Sequence, residues 1–274
     1  MRLDPGLVQA HRELIYIYGI LLRRRELYAE FLALSRLVPL TYDNAFHWCL
    51  TRGAVWDAAE LTGPLRTYLA ADPADRWSRL ALAENLRQLG RRGEAESVLA
   101  PLPATDPDAR AIRVRVALDR GDDLSAGSLL AEGPDDHPEL ARLRGRFALA
   151  HRDGTAAVKH FRAAFKAEPD DRDTFLGLGQ ALTLAGDHAA AAPYLATARD
   201  LDAIGTVLQR AGPENGRNDP KLLRALGSAC EKAHRLPEAR AWYHLAVDAD
   251  PLDSAAQKAL FRLKEREPAP ASLL

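Results

Sequence analysis

Apolar side chains recur at three- and four-residue spacing along almost the whole chain, which is the pattern of amphipathic helices that each bury one face. These stretches are short and come in pairs. Each pair is divided by a glycine or a short polar turn, as at Leu89-Gly90-Arg91, Arg120-Gly121-Asp122 and Ala185-Gly186-Asp187. The pattern therefore predicts an all-α protein built from helix-turn-helix pairs.

Prolines separate the pairs at a regular interval. Pro5, Pro39, Pro73 and Pro107 follow one another every 34 residues, and an acidic residue precedes three of them. Because proline lacks an N–H group and restricts the residue before it, each of these prolines is expected to mark a helix end. Pro5 would then close a repeat that begins further upstream.

The repeated positions resemble the tetratricopeptide repeat family, whose pattern combines Leu-Gly, an aromatic residue, alanine and a closing proline. The last copy matches it best, with Leu223, Leu226, Gly227, Cys230, Ala239, Tyr243, Ala246 and Pro251. Residues 113–130 also align without gaps on residues 144–161. The resemblance implies a right-handed α-solenoid of about seven tetratricopeptide-like repeats, in which small residues let the two helices of a pair interlock.

These marks place one solenoid over residues 1–267. The expected repeats are 8–41, 42–75, 76–106, 107–137, 138–171, 172–203 and 220–253. An insertion at 204–219 adds a helical turn or two before the loop at 212–218, which is a candidate hinge. A closing helix at 254–267 and a disordered tail at 268–274 complete the expectation.

The charge balance argues against a nucleic-acid partner, because 37 Lys and Arg face 38 Asp and Glu. The longest apolar run, residues 14–22, is too short to span a membrane, so no membrane insertion is expected. The first residues lack the layout of a secretory signal. A cytoplasmic location is the default expectation, and a periplasmic location or a longer exported chain stays open.

A search for catalytic and ligand-binding motifs finds no phosphate loop, nucleophile elbow or metalloprotease helix. The two cysteines, Cys49 and Cys230, have no partner at ligand spacing in the sequence, which argues against a disulfide framework or a zinc site. We expect no catalytic residue, cofactor or metal. Paired carboxylates are interpreted as helix caps, at Asp122-Asp123, Asp135-Asp136 and Asp170-Asp171.

In the family, first helices line an inner face along which partners lie. Carried over by resemblance, with the aromatic Trp77 added, the candidate partner-binding residues are Arg12, Tyr16, Trp77, Glu84, Arg115, Arg142, Arg146, Gln180 and Arg224. Arg115, Arg142 and Arg146 could present donors to a carboxylate or phosphate. The alternative is that these arginines pair with acidic residues of the chain itself.

Ten of the eighteen aromatic residues lie in the first 77 positions. They either form a binding surface or fill the core in place of Leu and Ala, and we favour core filling, with Tyr16 and Trp77 as the exceptions.

The leading functional hypothesis is a non-catalytic scaffold that binds a protein or peptide. The alternatives are the repeat region of a larger enzyme, transporter or regulator, and a solenoid that binds a small ligand or glycan.

Overall fold

The computed structural model describes residues 6–50, 58–212 and 216–265. The expectations for Pro5, for residues 213–215 of the insertion loop and for the tail at 268–274 therefore lie outside the described residues. The described residues form helices and no strand, which confirms the all-α fold class, with helices packing consecutively along the chain. The helices are α1 (Val8–Ile20), α2 (Arg24–Leu37), α3 (Tyr42–Leu50), α4 (Ala58–Ala71), α5 (Arg76–Gln88), α6 (Arg92–Leu99), α7 (Pro107–Asp119), α8 (Asp123–Ala131), α9 (Pro138–Ala150), α10 (Gly154–Ala167), α11 (Arg172–Leu184), α12 (His188–Arg210), α13 (Pro220–Lys232), α14 (Leu236–Ala249) and α15 (Ser254–Glu265).

The starts of the first helices are fixed by side chains that accept backbone hydrogen bonds. Asp106 accepts from the Ala109 N–H at 3.0 Å, and Asp171 accepts from the Thr174 N–H at 2.8 Å. Pro107 does not end a helix, as the sequence had suggested, but is the first residue of α7. Proline is tolerated there because the backbone N–H of the first helical residue has no acceptor within the helix, so its absence costs no hydrogen bond.

The second helices α6 and α8 are short, and arginines from the flanking first helices satisfy the carbonyls at their ends. Arg79 and Arg113 donate to the carbonyls of Val98 and Leu99, at 3.1 and 2.8 Å. One repeat later, Arg110 donates to Leu129 at 3.1 Å, and Arg144 donates to Leu130. Arg144 therefore acts as a helix cap for α8.

Glycines allow the closest helix contacts, as the sequence predicted. A Cβ atom at Gly145 would lie 2.7 Å from the Phe161 ring, and one at Gly177 would lie 2.2 Å from the same ring. Phe161 is only 1% exposed, so the ring has no free space to move into.

The chain divides into two compact units. The central unit comprises Gly19–Arg23 and Val55–Ala198, and the terminal unit comprises Met1–Tyr18, Arg24–Ala54 and Arg199–Leu274. In the central unit, successive first helices α5, α7, α9 and α11 contact one another in turn. Its core consists of apolar clusters that each span neighbouring helix pairs, with buried residues such as Leu86, Leu99, Ile112, Leu140, Leu143, Phe161 and Leu178.

The terminal unit joins helices from both ends of the sequence, because α2 and α3 pack against α14. The Tyr42 hydroxyl donates to the Ala211 carbonyl at 2.7 Å, and the Tyr42 and Trp242 rings meet edge to face at 5.6 Å. Trp48 is fully buried against Tyr28 and Phe31. Phe31, Tyr42 and Trp48 are buried in the core, as we predicted, whereas Tyr68 is 40% exposed.

The insertion contributes to the terminal unit. Helix α12 runs for 23 residues without a break, so the expected extra turns continue the second helix of the sixth pair. Leu201, Ile204 and Leu208 are buried.

Candidate functional site

Four successive first helices of the central unit present equivalent side chains on one surface. The ninth residues of α5, α7, α9 and α11 are Glu84, Arg115, Arg146 and Gln180. We call this set, together with Arg142 one turn earlier on α9, the first-helix face. The structure thus brings together five of the nine candidate partner-binding residues.

A ladder of alternating charges crosses this face from helix to helix. Arg115 lies 3.5 Å from Glu84 of α5 and 2.8 Å from Glu139 of α9. Arg142 pairs with Glu139 on its own helix, and reaches Glu168 at 2.7 Å and Asp171 at 3.2 Å. The ladder therefore connects three first helices and the start of a fourth, α11.

Arg87 extends the ladder at its other end. Its guanidinium lies 2.9 Å from Glu84 and 2.6 Å from Asp119. Our sequence reasoning did not select Arg87, Glu139 or Asp171. The three-residue spacings Glu84 to Arg87 and Glu139 to Arg142 were the available signal, since residues at that spacing are neighbours on a helix.

The pairing shifts the protonation equilibria of the ladder. Burial raises the pKa of Glu84, but Arg115 and Arg87 outweigh that effect, so the pKa lies below its usual value. Burial opposes the charge on Arg142, but Glu139, Asp171 and Glu168 outweigh it and raise its pKa. Both shifts favour the charged forms of Glu84 and Arg142. Its charges satisfy one another.

This pairing changes the role of two predicted donors. Arg115 and Arg142 are held by carboxylates of the chain itself, which is the alternative that the sequence analysis left open. Arg146 and Gln180 are exposed, and Arg146 makes no ion pair within the described part of the chain. Of the three arginines, Arg146 is thus the one whose guanidinium is open to a partner.

The other predicted residues lie elsewhere. In the terminal unit, Tyr16 is 60% exposed and Arg12 is also exposed, whereas Arg224 pairs with Asp253, the residue that caps α15. In the central unit, Trp77 is half-buried against the core, and its ring is stacked by Arg76 at 4.6 Å and by Arg23. Trp77 therefore serves mainly to pack α5.

The terminal unit also contains a groove of about 830 Å³ between residues 35–40 and helix α14. Its basic lining residues are Arg36, Arg240 and His244, beside the apolar side chains of Leu37 and Pro237. Burial lowers the pKa of His244, so this imidazole is mainly neutral at pH 7.

The paired carboxylates are mostly caps. Asp122 accepts from the Ser125 N–H and Asp171 from the Thr174 N–H, as predicted. For the pair Asp135-Asp136 the prediction was wrong, because His137 caps α9 by accepting from the Leu140 N–H at 3.4 Å. Over the described residues, no group of three or more His, Cys, Asp or Glu is placed to hold a metal ion.

Residues 6–50, 58–212 and 216–265 contain no helix with the length and apolar character that crossing a bilayer requires.

Comparison with known proteins agrees with this architecture. Family models described as tetratricopeptide repeat match residues 142–205 and 65–118. No curated protein sequence gives a significant match.

Solved structures resemble the chain at low identity. The APC/C hetero-tetramer Cut9-Hcn1 aligns at 17% identity with a TM-score of 0.48, over 91% of this chain and 48% of that one. A tetratricopeptide repeat protein from Parabacteroides merdae aligns at 12% identity and a TM-score of 0.40, over 93% of this chain and 99% of that one. The human IFIT1 dimer with PPP-AAAA aligns at 17% identity and a TM-score of 0.43, over 89% of this chain and 59% of that one. This chain thus spans about half the length of the Cut9-Hcn1 chain that it matches.

The consecutive helix pairs, the small residues at their contacts and the two family-model matches define a helical repeat protein. The chain contains tetratricopeptide repeats, at residues 65–118 and 142–205. Repeats of this kind generally serve as scaffolds for protein interaction, and their fold is typically non-catalytic.

Proposed function

We propose that this protein is a non-catalytic scaffold that binds a protein or peptide on the first-helix face of the central unit. The observation that carries the proposal is the placement of equivalent polar side chains on four adjacent first helices. A row of this kind offers one contact per repeat to an elongated partner.

The ion-paired and the exposed residues of the first-helix face have different roles in this proposal. Because Arg115 and Arg142 are paired with carboxylates of the chain, a partner would have to displace Glu139 or Glu168 to reach them. Arg146 and Gln180 are exposed and need no such displacement. We infer that a partner binds first at these two residues, and that the ladder holds the helices beneath it in register.

A variant that tests binding must leave the ion pairs of the ladder intact. Reversing Arg115 or Arg142 would place a carboxylate beside Glu84 or Glu139 and weaken the fold as well as any binding. Arg146→Glu reverses an exposed charge that has no ion pair over the described residues. Its matched control is Arg162→Glu, since Arg162 is also exposed without an ion pair in the described ranges, but lies on the second helix α10.

The experiment compares partner recovery from native extract by wild type, Arg146→Glu and Arg162→Glu, with crosslinking and mass spectrometry. The proposal predicts about a tenfold loss for Arg146→Glu, because a reversed charge at a contact costs on the order of 1.4 kcal/mol or more. It predicts full recovery for Arg162→Glu. Circular dichroism and Tm should be the same for all three chains. Equal recovery by both variants would remove Arg146 from the binding site.

A further inference from the structure

The only two cysteines of the chain meet inside the terminal unit. Cys49 on α3 and Cys230 on α13 are 181 positions apart in sequence, yet their Sγ atoms lie 3.9 Å from each other. Both are free thiols, with Cys49 8% exposed and Cys230 fully buried. The helix-repeat pattern gives no reason for two cysteines so distant in sequence to share one contact.

The geometry of this contact is close to that of a bond. A disulfide requires an S–S distance of about 2.05 Å, so the two sulfur atoms have to approach by roughly 2 Å. Rotation of one or both side chains about the Cα–Cβ bond moves a sulfur atom by that amount or more. We propose that Cys49 and Cys230 form a dithiol site that is oxidised to an intramolecular disulfide by a low-molecular-weight disulfide such as glutathione disulfide.

The environment assigns different roles to the two sulfur atoms. The Trp242 indole N–H donates to Cys49 Sγ at 3.1 Å, and Cys49 is the more exposed of the two, so an added disulfide reaches it more easily. The hydrogen bond with Cys49, together with burial, raises the pKa of Cys230 well above its usual value. Cys49 is therefore the attacking thiol and Cys230 the resolving thiol.

The reaction balances in two exchange steps. The Cys49 thiolate attacks one sulfur of glutathione disulfide, forming a mixed disulfide and releasing one glutathione thiolate. Cys230 then loses its proton and attacks Cys49 Sγ, which breaks the mixed disulfide and releases the second glutathione thiolate. The protein loses two electrons and two protons, and one glutathione disulfide becomes two thiols. Because both cysteines are buried, each attack requires local opening of the terminal unit.

The bond would fix the two ends of the sequence to each other. It joins α3 to α13 and closes a loop of 181 positions, which restricts the unfolded chain more than a short loop would. The oxidised protein should therefore unfold at a higher temperature than the reduced protein, by roughly 5 °C or more.

The test is to equilibrate the native full chain with glutathione buffers of increasing disulfide fraction, quench with acid, alkylate and measure intact mass. We expect one transition from two alkylated thiols to none, in a monomer. A non-reducing digest should contain a Cys49–Cys230 peptide, and Tm should rise and return to its starting value after dithiothreitol.

Two variants separate this site from unrelated thiol chemistry. Cys49→Ser and Cys230→Ser should each stop at a mixed disulfide or a free thiol, without the rise in Tm. The wild-type chain alone suffices if a variant does not fold. The proposal is overturned if native wild type keeps both thiols in a buffer that oxidises the same chain unfolded in urea, or if disulfides form only between chains.

Discussion

At the scale of single residues, arginines with similar sequence contexts have different roles. The internal repeat pairs Arg113 with Arg144 and Arg115 with Arg146. Arg113 and Arg144 cap the ends of short helices, whereas Arg115 belongs to an ion-pair ladder and Arg146 is exposed. The sequence showed that these arginines recur, but the role of each depends on which carbonyl or carboxylate the neighbouring helix places beside it.

Asp108 gives a residue-scale prediction with a defined pH window. His137 donates a hydrogen bond to it at 3.1 Å, and with Arg76 lowers the pKa of this carboxyl to about 2 against the opposing effect of burial. The unfolded value is about 3.9. Because the folded pKa is the lower of the two, the ionised group stabilises the fold above pH ~4, and this contribution is lost as the pH falls toward 2.

Asp108→Asn should therefore be less stable than wild type at pH 5, and the difference in Tm should shrink as the pH falls from about 4 to about 2. Urea or thermal unfolding at four or five pH values measures it. Asp136→Asn changes an exposed carboxyl nearby and serves as the control, with little difference at any pH. A Tm difference for Asp108→Asn that stayed constant over this window would contradict the assigned ion pair.

Helix caps were only partly predictable from the residue pattern. Asp122 and Asp171 were correctly expected to cap helices, because acidic residues just before a helix favour that geometry. Asp135 and Asp136 share the same sequence signal but do not cap α9. His137 is one residue closer to the helix start, and its imidazole accepts the bond instead. Such a shift of one residue is set by the turn rather than by composition.

At the scale of helices, glycine positions decide how closely neighbouring pairs approach. The Phe161 ring of α10 lies between Gly145 of α9 and Gly177 of α11. We predict that Gly177→Ala lowers the free energy of unfolding by about 1–3 kcal/mol, because the added methyl group overlaps a ring that has no room to move. Denaturant unfolding followed by circular dichroism measures the effect.

Gly93→Ala is the matched control, since Gly93 lies on an exposed part of α6 and a Cβ there meets nothing within 4 Å. It should leave stability unchanged or raise it by up to about 1 kcal/mol, as expected from helix propensity alone. If both variants lost the same stability, close packing at Phe161 would not explain the requirement for glycine.

The lengths of the helices were only partly predictable. Small residues and turn glycines marked the pairs, but α6 ends at Leu99, several residues before Pro107. The sequence interpretation assumed that proline closes each repeat. The structure shows that Pro107 opens the next helix, while arginine side chains complete the early end of α6. Caps contributed by other helices leave no local signal at the place where a helix stops.

At the scale of the whole molecule, the repeat period predicted the consecutive packing of helices in the central unit. It did not predict the terminal unit, in which α3 meets α13 and α14 through Tyr42, Cys49, Cys230 and Trp242. A period in the sequence reports contacts between successive repeats. Contacts between segments more than 160 positions apart follow from how the repeats accumulate in space, which no local pattern records.

We propose the binding of partners to the first-helix face. Its most direct test is photo-crosslinking from native extract, with a photoreactive phenylalanine at position 180 on α11 or, as the control, at position 162 on α10. Both positions are exposed and lie in the central unit. We predict that the probe at position 180 forms reproducible adducts with a partner protein and that the probe at position 162 forms none. Adducts from position 162 alone, or equally from both, would contradict the claim.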